Sequence, residues 1–316
     1  MTWVIVASVG YFLGAVANIL DKFLLSSNRI SSPAVYAFYV NMLGLGALVM
    51  LPFGFYIPSA YQIFLSTISG LLFSLGILAL YFAIRRSQAG RVIPVIGAVT
   101  PIGTYIFSYF LFGEVLTAYQ TVGTVMLISG GLLISFDLPL KINKKKFFAG
   151  FYQSILAGIL LALAYAIFKL VYAEQSFLNG FMWTRIGAFC SMGVLFAVPS
   201  WRRAILKSFK HLKRRKRENY HTGTLFVSNK LIGGTSSILF NYAIALGSVT
   251  LVNSMTSIQY VFVILLAFLA SKRYPDIFQE NLSWSDWGQR FAAMVFIAVG
   301  FVLISHSSGI APLIAP

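Results

Sequence analysis

Residues 81–135 read YFAIRRSQAGRVIPVIGAVTPIGTYIFSYFLFGEVLTAYQTVGTVMLISGGLLIS, and a fainter copy of them follows later in the chain. Two apolar segments flank the short turn Gly113-Glu114-Val115-Leu116-Thr117. The copy opens at Asn241, 160 residues after Tyr81, and reads NYAIALGSVTLVNSMTSIQYVFVILLAFLASKRY. Tyr81-Phe82-Ala83-Ile84 aligns with Asn241-Tyr242-Ala243-Ile244, and GGLLIS at 130–135 aligns with GFVLIS at 300–305, now at an offset of 170. Upstream, AVANILDK at 15–22 pairs with ALAYAIFK at 162–169 at an offset of 147. The growing offset needs 13 extra residues, which the loop at 200–221 holds, and then ten more, which fit from Pro275 to Trp284. A duplicated apolar unit is the mark of many secondary transporters.

The rest of the composition agrees with a membrane chain. The 316 residues are 58% hydrophobic and 10% charged, where a soluble domain carries about 25% charged residues. A net charge of +16 would suggest nucleic acid in a soluble protein; here it fits basic loops on the cytoplasmic side of a bilayer, and no nucleic-acid partner is expected. The single cysteine, Cys190, excludes an intramolecular disulfide and a cysteine-cluster metal site. The first apolar run begins at once and lacks a basic leader and a small-residue cleavage site, so it reads as a retained helix.

Ten spans of about 20 apolar residues follow, at about 2–21, 34–52, 61–84, 92–112, 118–136, 148–172, 178–199, 222–246, 250–270 and 287–305. The expected fold is all-α, with ten transmembrane helices in two repeats of five, 2–136 and 148–305. An odd number of spans per repeat turns the second copy upside down. The connections after odd-numbered spans carry Lys22, Arg29, Arg85, Arg86, Arg91, Lys141, Lys144, Lys145, Lys146, nine basic residues from Arg202 to Arg217, Lys272 and Arg273; the even connections carry none. Positive-inside then places both termini outside the cell membrane. Most prolines sit at joints, but Pro94 and Pro101 lie inside span four, where two readings stand: a tolerated bend, or a break exposing backbone to a cavity. The basic run Lys207–Arg217 reads as a solvated orientation determinant that can also grip anionic lipid.

These features resemble the drug/metabolite transporter superfamily, in particular its EamA-type ten-helix members. The residues that carry the resemblance are ANILDKFLL (17–25), ALYFAIRRSQAGRVIPV (79–95), TPIGTYIFSYFLFGE (100–114) and QTVGTVMLISGGLLI (120–134). The second half departs from the pattern, with Lys272-Arg273-Tyr274 where the family often has Gly-Glu. The resemblance implies a gradient-driven, alternating-access carrier of a small metabolite. It also suggests cytoplasmic termini, the reverse of what the loop charges say.

Ionisable residues within a span cost roughly 2.5–3.5 kcal/mol each on insertion scales. Lys230 and Arg185 lie well inside spans eight and seven; Lys169 and Arg290 lie nearer span ends, and no carboxylate lies deep in any span. Cations without carboxylate partners suit an anionic substrate, an organic acid or a phosphorylated metabolite; snorkelling to headgroups is the alternative. Lys22 is the repeat mate of Lys169, and inversion would set the two at opposite entrances. Asn18, Asn229, Asn241 and Gln259 are span amides suited to a cavity or to gluing helices together. Tyr81 and Tyr105 suit a cavity wall or aromatic packing.

A secondary transporter of a small anionic metabolite is therefore the first expectation, with no cofactor or metal and with membrane lipids and a coupling ion as further partners. A lipid flippase or an exporter of amphipathic compounds on the same fold is the second. A membrane-embedded enzyme is disfavoured, because His211, His221 and His306 lie in a loop or at the chain end, away from any deep Asp or Glu.

Overall fold

In lipid every backbone amide must find its partner within its own segment, and helices are what this composition permits. The computed structural model describes residues 1–25, 32–86, 89–135, 144–214, 220–275 and 284–307, with side chains except at 21–25, 89–91, 144–149, 210–214, 220–226, 284–285 and 307. The described residues form helices and no strands. In order they are α1 (Thr2–Leu25), α2 (Pro33–Gly44), which continues as a 3₁₀ stretch over Leu45–Phe53, α3 (Ala60–Arg86), α4 (Ala89–Phe112), α5 (Ala118–Ser135), α6 (Lys144–Glu174), α7 (Phe177–Cys190), α8 (Met192–Ala197), α9 (Pro199–Arg214), α10 (Tyr220–Leu246), α11 (Val249–Ser254), α12 (Thr256–Ser271) and α13 (Trp284–Ser307).

Among the described residues, nine segments are long and apolar enough to cross a membrane, as expected of a multi-pass membrane protein. The span expected at 222–246 is the 27-residue α10, which is not one of the nine. Asn229, Lys230, Ser236, Ser237 and Asn241 interrupt its apolar run. The basic stretch read as a loop after span seven holds a further helix, α9.

Three spans change course along their length. α2 tightens to 3₁₀ at Leu45. α7 gives way to α8 at Ser191, whose hydroxyl donates to Ala188 O at 2.5 Å. α11 gives way to α12 at Met255, where Ser254 Oγ donates to Thr250 O (2.7 Å) and Thr256 Oγ1 to Asn253 O (2.7 Å). Such back-bonding bends helices. Span four, by contrast, is one helix from Ala89 to Phe112 with Pro94 and Pro101 inside it, so the helix is not broken there.

The helices pack in a fixed pattern: α1 lies along α10, α3 along α6 and α7, α4 along α6, and α5 along α13. Close approach decides two of these contacts. A Cβ on Gly70 would sit 2.3 Å from Ala188 N, and one on Gly187 would sit 2.4 Å from Ser66 O, so α3 and α7 cross backbone to backbone. Gly123 and Gly300 do the same for α5 and α13, where each Cβ would meet the other's carbonyl oxygen at 2.9 and 2.8 Å. In α10 the Gly233-Gly234 pair does not mediate close approach, Gly233 meeting Ala17 Cβ at 3.8 Å and Gly234 nothing within 4 Å; α1 supplies the glycines instead, Gly10 against Leu239 and Gly14 against Ser236.

One end of the bundle gathers the start of α1, the 53–60 turn, the end of α6 and the α10–α11 junction. There Trp3 lies against Gly247. Gln62 Nε2 donates to Glu174, Gln175 Nε2 to Gln62 Oε1 (2.9 Å), Asn179 Nδ2 to Gln175 Oε1 (2.8 Å) and the Tyr56 amide to Asn179 Oδ1 (3.0 Å). One apolar core joins α1, α6, α7, α10, α11 and the α5–α13 pair. Two smaller cores lie toward the other, basic end, one of α3, α4 and α6 and one of α2, α3, α8 and α9, while the large core also reaches that end through Ile134 of α5 and Ala293 of α13.

Candidate functional site

The sharpest electrostatic feature is Arg185. It sits on α7, eight residues from the helix start, and keeps 7% of its surface exposed. Its Cζ lies 4.7 Å from the centroid of Phe181, 5.1 Å from Phe73 and 5.8 Å from Phe168. Tyr165 stands beside this cluster, with ring centroids 6.2 Å from Phe73 and 5.9 Å from Phe168. The site thus draws on α3, α6 and α7, and it lies where α2 tightens into its 3₁₀ stretch: a Cβ on Gly44 would be 3.7 Å from Arg185 Cδ.

Rings satisfy the faces of a guanidinium, each worth about 0.5–2 kcal/mol. They leave its five edge donors without acceptors. Arg185 Nε is buried and has no hydrogen-bond partner, and no carboxylate pairs with Arg185 among the described residues. Burying a charge costs several kcal/mol even after relaxation, so the cage offsets only part of that cost. An arriving carboxylate or phosphate would supply both the countercharge and the missing acceptors.

Asn241 belongs to the same neighbourhood. Tyr172 lies with its ring centroid 6.0 Å from that of Phe168 and donates its hydroxyl proton to Asn241 Oδ1 at 3.0 Å; the amide of Asn241 donates to Ser237 O at 2.8 Å. Arg185 and Asn241 are therefore joined through two aromatic residues. Lys169 has a different occupation. Its Nζ donates to Ala245 O (3.0 Å) and Gly247 O (2.8 Å), the carbonyls that end α10. A cation there satisfies otherwise orphaned acceptors and the negative end of the helix dipole.

The other expected site residues are dispersed. Gln259 is partly buried and packs at the α1–α12 crossing, where a Cβ on Gly14 would meet its Nε2 at 3.0 Å. Asn229 is buried and Lys230 partly buried on α10, while Asn18 is exposed on α1. Tyr81 packs at a tilt against Tyr36, with ring centroids 4.3 Å apart, near the basic end, and Tyr105 is partly buried on α4. Lys22 lies in the last turn of α1, outside the described side chains. Arg290, near the start of α13, is partly buried.

Sequence reading missed the aromatic cage, because Phe73, Phe168 and Phe181 are three of 29 phenylalanines with nothing local to single them out. It also gives Glu114 no partner beyond its place in the turn at 113–117. Gly113, at φ 69°, turns the chain out of α4, and Glu114 then reaches the second half, where Thr250 Oγ1 donates to it at 2.5 Å. Among the described residues no group of three His, Cys, Asp or Glu is placed to hold a metal.

No family model matches the chain, and no curated protein matches it. Solved structures do: 28 chains match. One, described only as a crystal structure of a protein, superposes with a TM-score of 0.68 over 96% of this chain and 98% of its own, at 13% sequence identity. At that identity the likeness concerns the fold alone.

Proposed function

We propose that the chain is a ten-helix secondary transporter of a small anionic metabolite, built as two inverted five-helix repeats that work by alternating access. The observation that carries the anion is Arg185, a buried guanidinium with rings on its faces and an unpartnered Nε. The packing supports the repeat. The first span of each half lies along the third span of the other, α1 on α10 and α6 on α3. One irregularity recurs at a matching place, where α2 ends at Gly44 and α7 at Cys190, within one residue of the 147 offset; the α11–α12 break after Ser254 has no counterpart at Pro94, 160 residues earlier, where α4 runs on unbroken. One core bridges the halves, drawing on α1 and α5 from the first and α6, α7, α10, α11 and α13 from the second.

The test is uptake into proteoliposomes of labelled organic acids and phosphorylated sugars, with scrambling of a fluorescent lipid followed in the same vesicles. Saturable uptake of an anion, lost in Arg185→Gln, is the expected result. Lipid scrambling without anion uptake would replace the carrier reading with a flippase.

A further inference from the structure

The helix that the sequence hides in its basic stretch has a defined orientation. α9 begins after Val198, which is extended (φ −88°, ψ 112°), so the chain turns off the axis of α8 before Pro199. Trp201, near its start, packs at a tilt against Phe82 of α3 (5.8 Å), four residues before α3 ends. Phe209, eight residues later, meets Phe38 (5.7 Å) and Tyr39 (6.0 Å) of α2, five and six residues after α2 begins. At 1.5 Å per residue these contacts lie at similar depths, roughly 6 and 8 Å from the helix ends. α9 therefore runs across the ends of the bundle rather than along it.

Its three sides differ. Trp201, Ala204, Ile205 and Ser208 face the protein; Ile205 is fully buried, and Ser208 Oγ pairs with Tyr39 Oη at 3.0 Å. Leu206 (52% exposed) and Phe209 (39% exposed) leave apolar surface beside that stripe. Arg202, Arg203 and Lys207 are exposed, and no carboxylate pairs with them among the described residues. A helix with one docked stripe, an apolar flank and a cationic rim matches the boundary between acyl chains and headgroups.

We infer that α9 is an in-plane helix that binds anionic phospholipid. Arg202, Arg203 and Lys207 hold the headgroup phosphates, and Leu206 and Phe209 enter the acyl layer. Anionic lipid is favoured over a soluble acidic partner because the apolar and basic flanks lie side by side at a helix set level with the bundle end. This inference is independent of the transported substrate.

The test uses the whole protein in vesicles of phosphatidylcholine with one third phosphatidylglycerol, and spin-labelled lipids of each class. Motionally restricted label should favour phosphatidylglycerol by about fivefold or more, the factor one basic side chain near a charged leaflet supplies. Arg202→Gln/Arg203→Gln/Lys207→Gln should bring the preference close to one, while Arg202→Lys/Arg203→Lys/Lys207→Arg should keep it. Leu206→Ser/Phe209→Ser should reduce the restricted fraction of both labels. An undiminished preference in the triple Gln variant, or no preference in the wild type, would overturn the inference and leave the basic face to a soluble partner.

Discussion

Arg185 carries a cost the fold tolerates without recovering it from a protein partner. A guanidinium with three rings and no carboxylate is less stable there than an apolar side chain of similar length. Arg185→Met should therefore leave the melting temperature unchanged or raise it, as followed by thermal unfolding in detergent, while abolishing uptake. A fall of several degrees would mean that Arg185 is structural. The depth of this arginine was legible in the sequence, because a lone cation inside an apolar span stands out. Its surroundings were not: Phe73 and Phe168 come from helices 112 and 17 residues away along the chain, and only folding brings them to one guanidinium. Lys169 shows the reverse. Its partners, Ala245 O and Gly247 O, are backbone atoms at a helix end that no motif marks as a binding site.

The helix contacts depend on where backbones touch. Gly70→Ala forces a methyl to within 2.3 Å of the α7 backbone and should cost about 1–3 kcal/mol or more, read as a lower melting temperature. Gly46→Ala, with nothing within 4 Å of the new carbon, should cost nothing measurable. Equal effects would contradict the α3–α7 crossing. Span positions could be read from hydrophobic length alone, since each backbone must satisfy itself. The breaks at Ser191 and Met255 could not, because no proline stands at either; the hydroxyl back-bonding found there also occurs within unbroken α4 and α6. α9 was hidden for another reason: its basic residues outweigh its buried stripe, so average hydropathy reads it as a loop.

For the whole molecule, the proposed repeat rests on sequence offsets between the two halves, and the pairing of α1 with α10 and of α3 with α6 is the pairing such a repeat would give. Orientation rests on loop charge and is directly measurable. In a Cys190→Ser background, Thr117→Cys should react with an impermeant maleimide in intact cells, and Ser200→Cys only after permeabilisation; the reverse pattern would place the termini in the cytoplasm. The central claim, that Arg185 anchors an anion, is tested most directly by thermal-shift binding. A panel of small organic and phosphorylated anions should contain one that stabilises the wild-type protein in a saturable manner and leaves the equally folded Arg185→Gln variant unchanged. The same saturable shift in Arg185→Gln would contradict the account.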